Sequence, residues 1–438
     1  MSSQRATWSN WSGAVTCAPL RIETPRTSEE VAQLVRGALE RGVAVRVAGS
    51  GHSFSRVVET DDLLLDLREM NAIEAVNLTE HRGTLAAGAR ISEVGAPLAK
   101  RGLALLNQGD IHAQAIAGAV STGTHGTGLA LGSLSSAVTG LTLVTGEGEV
   151  LRCDAEHAPD LFHHARVAIG TMGVLTSVEM QMRAPYRLRE TKKNIPLEAC
   201  LSQVDALAAA HRHFEFFWFP YSDLAAVKLL DETDDPRDVA AVRHFVVDQV
   251  FENSAWWLAC DLTRRGWAST PALGRFCAQT FSESSRVGHS YEIFPNPRWV
   301  RFNEMEYAVP AARGPEAFLE IKDFIERSQL NVLFPIEYRY VKGDDIPLSP
   351  FYQRDSAVIS CHVFKGKPYE AYFRGAEKIL LAHEGRPHWG KMHSLDANAL
   401  RERYPEWASF MDLRARLDPR GVFISPYVAR LFGVHPER

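Results

Sequence analysis

Two short stretches hold side chains suited to chemistry: Gly49-Ser50-Gly51-His52-Ser53-Phe54-Ser55 and, far along the chain, His388-Trp389-Gly390-Lys391. The first is a glycine-rich turn directly after the apolar run Val43-Ala44-Val45-Arg46-Val47-Ala48. Two glycines remove the Cβ barrier, so this backbone can approach a phosphate closely. It is not a dinucleotide fingerprint, because Phe54 stands where GxGxxG needs its last glycine. Nor is it a P-loop, since no Gly-Lys-Ser/Thr follows. What it carries instead is a histidine, whose neutral nitrogen is a nucleophile near neutral pH. Glu337-Tyr338-Arg339 is a third candidate: in a strand Glu337 and Arg339 share one face and Tyr338 takes the other. On an ordinary strand such a pair is a surface ion pair.

The elements that must position these residues are legible in part. Pro25 to Gly42 reads as one helix: Thr27 and Glu30 have capping-box spacing, Val31, Leu34, Val35, Ala38 and Leu39 form an apolar face, and Gly42 stops it. A strand runs to Ala48, Leu63 to Leu67 and Gly83 to Gly88 read as two more, and Ser92 to Gly102 as a second helix. This alternation predicts a mixed, layered domain. Asn107 to Gly128 is rich in Gly, Ala, Ser and Thr, a texture that lets backbone lie against a flat ligand or fill a tight core turn. Val138 to Val144 and Val150 to Arg152 flank Gly146-Glu147-Gly148 as a hairpin. Beyond Pro185 aromatic residues crowd together, and His213 to Phe219 and Val332 to Val341 alternate as strands of a second, antiparallel domain. Ala399 to Leu417 reads as helix.

A chain of 438 residues, 45% apolar and 23% charged, suffices for two or three domains of ordinary globular composition. Its net charge of -5 gives no reason to expect nucleic acid or an anionic membrane as partner. Six cysteines without a CxxC pair argue against a metal or redox motif and a disulfide framework. With no signal-like or membrane-spanning apolar run, a reducing cytoplasm is the expected home.

Together with Gly123-Thr124-His125-Gly126-Thr127-Gly128, the two opening stretches give the chain a specific likeness. It resembles FAD flavoproteins of the vanillyl-alcohol-oxidase type, and within them the aldonolactone oxidoreductases and alditol oxidases. The likeness runs from Trp8-Ser9-Asn10-Trp11 through His213-Phe214-Glu215-Phe216-Phe217 to Arg386-Pro387-His388-Trp389-Gly390-Lys391. It is similar above all to the bacterial L-gulono-1,4-lactone dehydrogenase and D-arabinono-1,4-lactone oxidase group. The resemblance implies an α+β, two-domain, PCMH-type FAD-binding fold. An FAD-binding domain would span 1–184, an antiparallel-sheet substrate (cap) domain 185–384, and a segment 385–438 would return to the FAD domain.

The same resemblance implies FAD with its pyrophosphate on Ala48, Gly49, Ser50, Gly51, His52 and Ser53, and its body along Ala115, Gly118, Thr122, Gly123, Thr124 and His125. Val174 would approach the nucleotide end, and His388 would lie beside the flavin. His125 is either a cofactor contact or a buried core histidine. His52 matches the histidine bonded covalently to the flavin 8α-methyl; relatives lacking it bind FAD noncovalently. Glu337 and Arg339 match a pair facing substrate and isoalloxazine, where a cation stabilises the reduced ring. Lys391 matches the lysine at the reacting hydroxyl, which can polarise or help deprotonate the alcohol. His362 is a further substrate candidate, or a lone histidine without a role.

Gly109 stands where plant galactonolactone dehydrogenases hold an alanine thought to shield the flavin from oxygen. Asp110 stands where alditol oxidases have a substrate-binding serine, which favours the lactone group. No metal is expected. The implied reaction is oxidation of an aldono-1,4-lactone, with electrons passing to O2 or another acceptor, in the setting of ascorbate biosynthesis. The rivals are an alditol oxidase producing H2O2 and a noncatalytic flavin- or sugar-binding protein; Glu337, Arg339 and Lys391 together speak against the last.

Overall fold

Both ends of the first helix, Ser28–Arg41, are chemically marked. Thr27 Oγ1 accepts from the Glu30 amide at 3.2 Å, and the Glu30 carboxylate reaches back to accept from the Arg26 amide at 2.7 Å. This reciprocal arrangement satisfies amides that have no partner inside the helix. Gly42 closes the other end at φ +63°, a left-handed cap that a side chain would strain. Val31, Ala32, Val35 and Ala38 form the buried stripe. The computed structural model describes residues 6–280, 283–296 and 299–436, and of 241–252 the backbone only.

The strand Val45–Ala48 lies parallel to Leu63–Asp66, which lies parallel to Arg21–Glu23. A second, antiparallel sheet orders its main strands Val150–Asp154, Val138–Val144, Val174–Arg183, Arg82–Ala86 and Ile73–Asn77. The hairpin expected around Gly146-Glu147-Gly148 is present, with Val150 opposite Val144. The helix expected over Ser92 to Gly102 spans Ile91–Lys100.

Eight strands make the third large sheet: Ser284–His289, Arg187–Pro196, Leu224–Glu232, His213–Trp218, Ile336–Val341, Ser356–Phe364, Phe302–Pro310 and Arg386–Pro387, all antiparallel. Because side chains alternate, each strand divides between two faces. One face is apolar: Phe214, Phe216, Val227, Tyr338, Ile359 and Tyr307 share a core with Phe318 and Ile321 of the helix Gly314–Arg327 and Tyr372 and Ala376 of the helix Glu370–Ala382. The other face carries Glu215, Lys228, Glu337, Arg339, Ser360, His362, Glu304 and Glu306, all of them buried. Burying a row of charges is costly to folding, so its presence marks a site rather than a scaffold. The strand expected over Val332 to Val341 begins only at Ile336, since Pro335 offers no N–H to a ladder.

The last fifty residues pack into the first core. Trp389, Tyr404, Trp407, Phe410 and Phe432 belong to the same cluster as Val31, Val45 and Leu65, and the Val45 amide donates to the Val422 carbonyl at 2.8 Å. Arg46, buried in that core, donates to the carbonyls of Val57, Ile169, Gly170 and Phe423, tying three loops together. The single helical stretch expected over Ala399 to Leu417 is two helices, Ala397–Arg401 and Trp407–Leu417. Pro405 separates them, because a residue before proline is driven out of the helical region.

Candidate active site

The two stretches that open the sequence argument touch. The Phe54 amide donates to the Gly390 carbonyl at 2.6 Å, and Ser55 Oγ donates to the Trp389 carbonyl at 2.8 Å. Their junction lies between a cleft and the polar face of the eight-stranded sheet.

The first group lines a cleft between the turn after Val45–Ala48 and the segment around the short helix Ile116–Ser121. Ala48, Gly49, Ser50, Gly51, His52 and Ser53 line one side; Ala115, Gly118 and Thr122 line the other, with Val174 between. Gly51 sits at φ +70°, and a Cβ there would press the Trp8 ring at 3.3 Å. A Cβ on Gly118 would meet nothing within 4 Å, so that position opens into the cleft. No amide from Gly49 to Ser53 donates to another described residue, and Ser50 Oγ is buried without a hydrogen-bond partner among them. Free amides, an orphaned hydroxyl and a floor without side chains suit the phosphates and flat rings of a dinucleotide. His52 stacks on Trp11 with ring centres 5.7 Å apart. Burial first, then the charges of Lys391, Arg90 and His112, push its pKa down to about 4, so its ring is neutral at pH 7 and keeps a lone pair.

The second group of residues gathers on and against the polar face of the eight-stranded sheet. Lys391 Nζ pairs with Glu304 Oε2 at 2.5 Å and sits 5.1 Å from the centre of the Phe54 ring. Its side chain is 19% exposed, against 10% or less for Asp110, Glu304, Glu337, Arg339 and His362, so it is the charge most open to a substrate. Burial opposes its ammonium form, but Glu304, then Glu306 and Glu337, outweigh that and raise its pKa. Glu306 accepts from Ser360 Oγ at 2.7 Å and meets His125 Nε2 at 3.0 Å, while His125 Nδ1 donates to the Gly126 carbonyl at 2.8 Å. His388 Nδ1 accepts from the Gly390 amide at 2.9 Å, which places its ring proton on Nε2. Burial, only partly countered by Glu306, pushes the His388 pKa down to about 4.

Arg339 anchors the far side. It contacts Glu337, Glu215 (Nε to Oε2, 2.9 Å) and Asp110 (3.2 Å), and Lys228 Nζ bridges Asp110 at 2.9 Å and Glu215 at 2.8 Å. Burial, reinforced by Glu215 and Asp110 against the pull of Arg339, raises the Glu337 pKa. By spacing, His125, Glu306 and His388 could hold a cation, as could Asp110, Glu215 and Glu337. In the first group the hydrogen bonds just described engage the donor atoms; in the second, Lys228 and Arg339 already supply the charge.

The structure thus places Ala48 to Ser53, Ala115, Gly118, Thr122 and Val174 together in the cleft, and Glu337, Arg339, His362 and Lys391 together on the polar face. His125 and His388, 5.9 Å apart, both contact Glu306 of the polar face and are not among the residues lining the cleft. Gly123 and Thr124 are also off its walls; Thr124 Oγ1 accepts from Gln114. A Cβ on Gly109 would come within 2.8 Å of the His125 carbonyl. That glycine therefore also serves a close approach of two backbones. Asp110, expected beside the substrate, engages Lys228 and Arg339 with its two oxygens and acts on the site through them. Sequence reasoning missed Glu304, Glu306, Ser360, Glu215 and Lys228. The usable signal was acids two apart in Phe302-Asn303-Glu304-Met305-Glu306-Tyr307, and a lone lysine in the apolar strand Leu224–Glu232.

Residues 178–431 match the D-arabinono-1,4-lactone oxidase family, and residues 19–154 match the FAD binding domain. The chain belongs to the aldonolactone oxidase family. L-Gulono-1,4-lactone dehydrogenase of Mycobacterium tuberculosis is 38% identical over 426 residues, 97% of this chain and 99% of the relative. Mouse L-gulonolactone oxidase is 31% identical over 435 residues, 97% of each chain. In fold, the chain matches a solvent-stable cholesterol oxidase with TM-score 0.82 at 18% identity, over 98% of this chain and 97% of the other. The architecture is the α+β, PCMH-type FAD-binding fold, and FAD is the cofactor of this family member. No helix of the described residues is long and apolar enough to cross a membrane.

Proposed function

We propose that this flavoenzyme oxidises a CH–OH group of an aldono-1,4-lactone: L-gulono-, L-galactono- or D-arabinono-1,4-lactone. The observation that carries the reading is the position of Lys391 between the cleft and the polar face of the sheet. Its charge bears on His52 in the cofactor cleft while its Nζ lies among the carboxylates of the polar face.

FAD supplies a two-electron acceptor there, reoxidised by O2 or another acceptor. The amides of Gly49 to Ser53 and the Ser50 hydroxyl hold its phosphates, and Gly118 leaves room for its rings. His52, neutral and nucleophilic, holds it covalently. The Lys391 ammonium would donate to the oxygen of the reacting hydroxyl, and the hydroxyl proton would pass to the Glu337 carboxylate as the carbon is oxidised. Glu337, whose raised pKa makes it a better proton acceptor than an ordinary carboxylate, and Arg339 hold the remaining ring oxygens. His362 and His388 border the substrate, and Asp110 steadies Arg339.

The cofactor unit is assigned to 1–184 with 385–438, and the substrate unit to 185–384. The contacts of Arg46 and Val45 with the tail support the first, and the separate apolar core beneath the eight-stranded sheet supports the second. A cytoplasmic home agrees with six free cysteines.

Anaerobic mixing of the flavoenzyme with each sugar tests the reading. The three lactones should bleach the flavin at lower concentration than xylitol or sorbitol. Polyols with kcat/KM higher by tenfold, about 1.4 kcal/mol in transition-state binding, would overturn it.

A further inference from the structure

Glu304 holds both the backbone next to Lys391 and the lysine's side-chain tip. The loop that carries it runs beside the strand Phe302–Pro310, with the His388 amide donating to the Glu306 carbonyl at 3.0 Å and the Met392 amide to the Glu304 carbonyl at 2.9 Å. The same Glu304 then turns its side chain to meet the lysine's Nζ at 2.5 Å. Its other oxygen faces His362 Nε2 at 3.4 Å, and that ring is fixed because Nδ1 donates to the Pro335 carbonyl at 3.0 Å. Glu304 and His362 are directly opposite in the strand register.

The groups that bear on Lys391 are Glu304, Glu306, Glu337, His52, His362 and His388. Two of the three carboxylates are engaged elsewhere, Glu306 with His125 and Ser360, and Glu337 with Arg339. Of the three, Glu304 is the one in contact with the lysine. A lysine in so enclosed a place loses its proton readily unless an anion touches it.

We propose that Glu304 is the positioning residue of the reaction: it keeps Lys391 protonated and holds its ammonium in place over the polar face of the sheet. The assignment rests on the reading of Lys391 as the group at the reacting hydroxyl. Glu304 itself need not touch substrate. Its own carboxyl is held below the ordinary range, since Lys391 and His362 outweigh the effect of burial.

The test is anaerobic flavin reduction by L-gulono-1,4-lactone over a pH series, in the holoenzyme and in Lys391→Met, Glu304→Gln and Glu304→Asp. Lys391→Met identifies the pH limb that belongs to the lysine. In Glu304→Gln, with flavin content preserved, that limb should move to lower pH by about one unit or more, the scale of one lost buried charge contact. Glu304→Asp, which keeps the charge but draws it back, should shift the limb less. If Lys391→Met reduces its flavin like the parent at every pH, the reading of Lys391 fails and this proposal with it. If Lys391→Met loses the limb while Glu304→Gln keeps it in place, the lysine reading stands and the role of Glu304 is overturned. Should Glu304→Gln not fold, an aspartate variant with the parental limb and rate overturns the proposal equally.

Discussion

Glu215 and Lys228 sit opposite each other on neighbouring antiparallel strands, 2.8 Å apart, with the same Glu215 carboxylate receiving Arg339 on its other oxygen. The lysine is therefore the counterweight that lets Asp110, Glu215 and Glu337 crowd around one guanidinium.

Lys228→Met should leave those three carboxylates with Arg339 alone. We expect a loss of about 3–5 kcal/mol, the usual cost of breaking a buried ion pair from one side, read in urea unfolding of the holoenzyme. The double variant Lys228→Met/Glu215→Gln should recover part of it. A single variant as stable as the parent would mean the cluster is wet and its charges screened.

The tether at His52 predicts colour that survives unfolding. Acid-precipitated protein should remain yellow, and His52→Ala should release its flavin to the supernatant on the same treatment. Flavin wholly soluble from the parent protein refutes the bond.

Replacing Lys391 by methionine preserves the stem against Phe54 and deletes the charge. Flavin content should hold while anaerobic reduction slows by ~10²-fold or more, the scale of a positioned proton-transfer group. An unchanged rate would leave the lysine as packing.

Acidification should weaken the fold. His213 and His388 are buried, and burial pushes their pKa values down to about 3 and about 4. Below the unfolded value near 6.5, the unfolded chain takes up protons that the native one refuses. Stability is therefore complete above pH ~6.5 and falls as pH drops towards 4, by up to about 1.4 kcal/mol per unit for each histidine. Asp344, raised to about 6 mainly by burial, binds its proton more tightly when folded and offsets part of the loss between about 4 and 6. Urea midpoints at two pH values, with His213→Gln as the flattened control, check the slope.

The first helix, the hairpin, the glycine turn and the shared face of Glu337 and Arg339 were legible because each depends on neighbours in sequence. Capping spacing, a turn residue and period two are local facts. Glu304 and Lys228 were not legible, because a charge in an apolar strand signifies only when the opposite face of the sheet is known to be covered. Pairings such as Lys391 with Glu304, or Asp110 with Arg339, join residues that only the folded chain brings together. The break at Pro405 was readable and overlooked; helical composition on both sides hid it.

Arg46 has a consequence for the order in which the molecule is made. It lines the cofactor cleft, yet one carbonyl it needs, that of Phe423, lies 377 residues further along the chain. A nascent chain emerging from the ribosome, N-terminus first, holds the phosphate turn long before it holds the lid of its own foundation. A chain ended before Phe423 would therefore lack one support of the cleft even though every residue from Ala48 to Val174 is present.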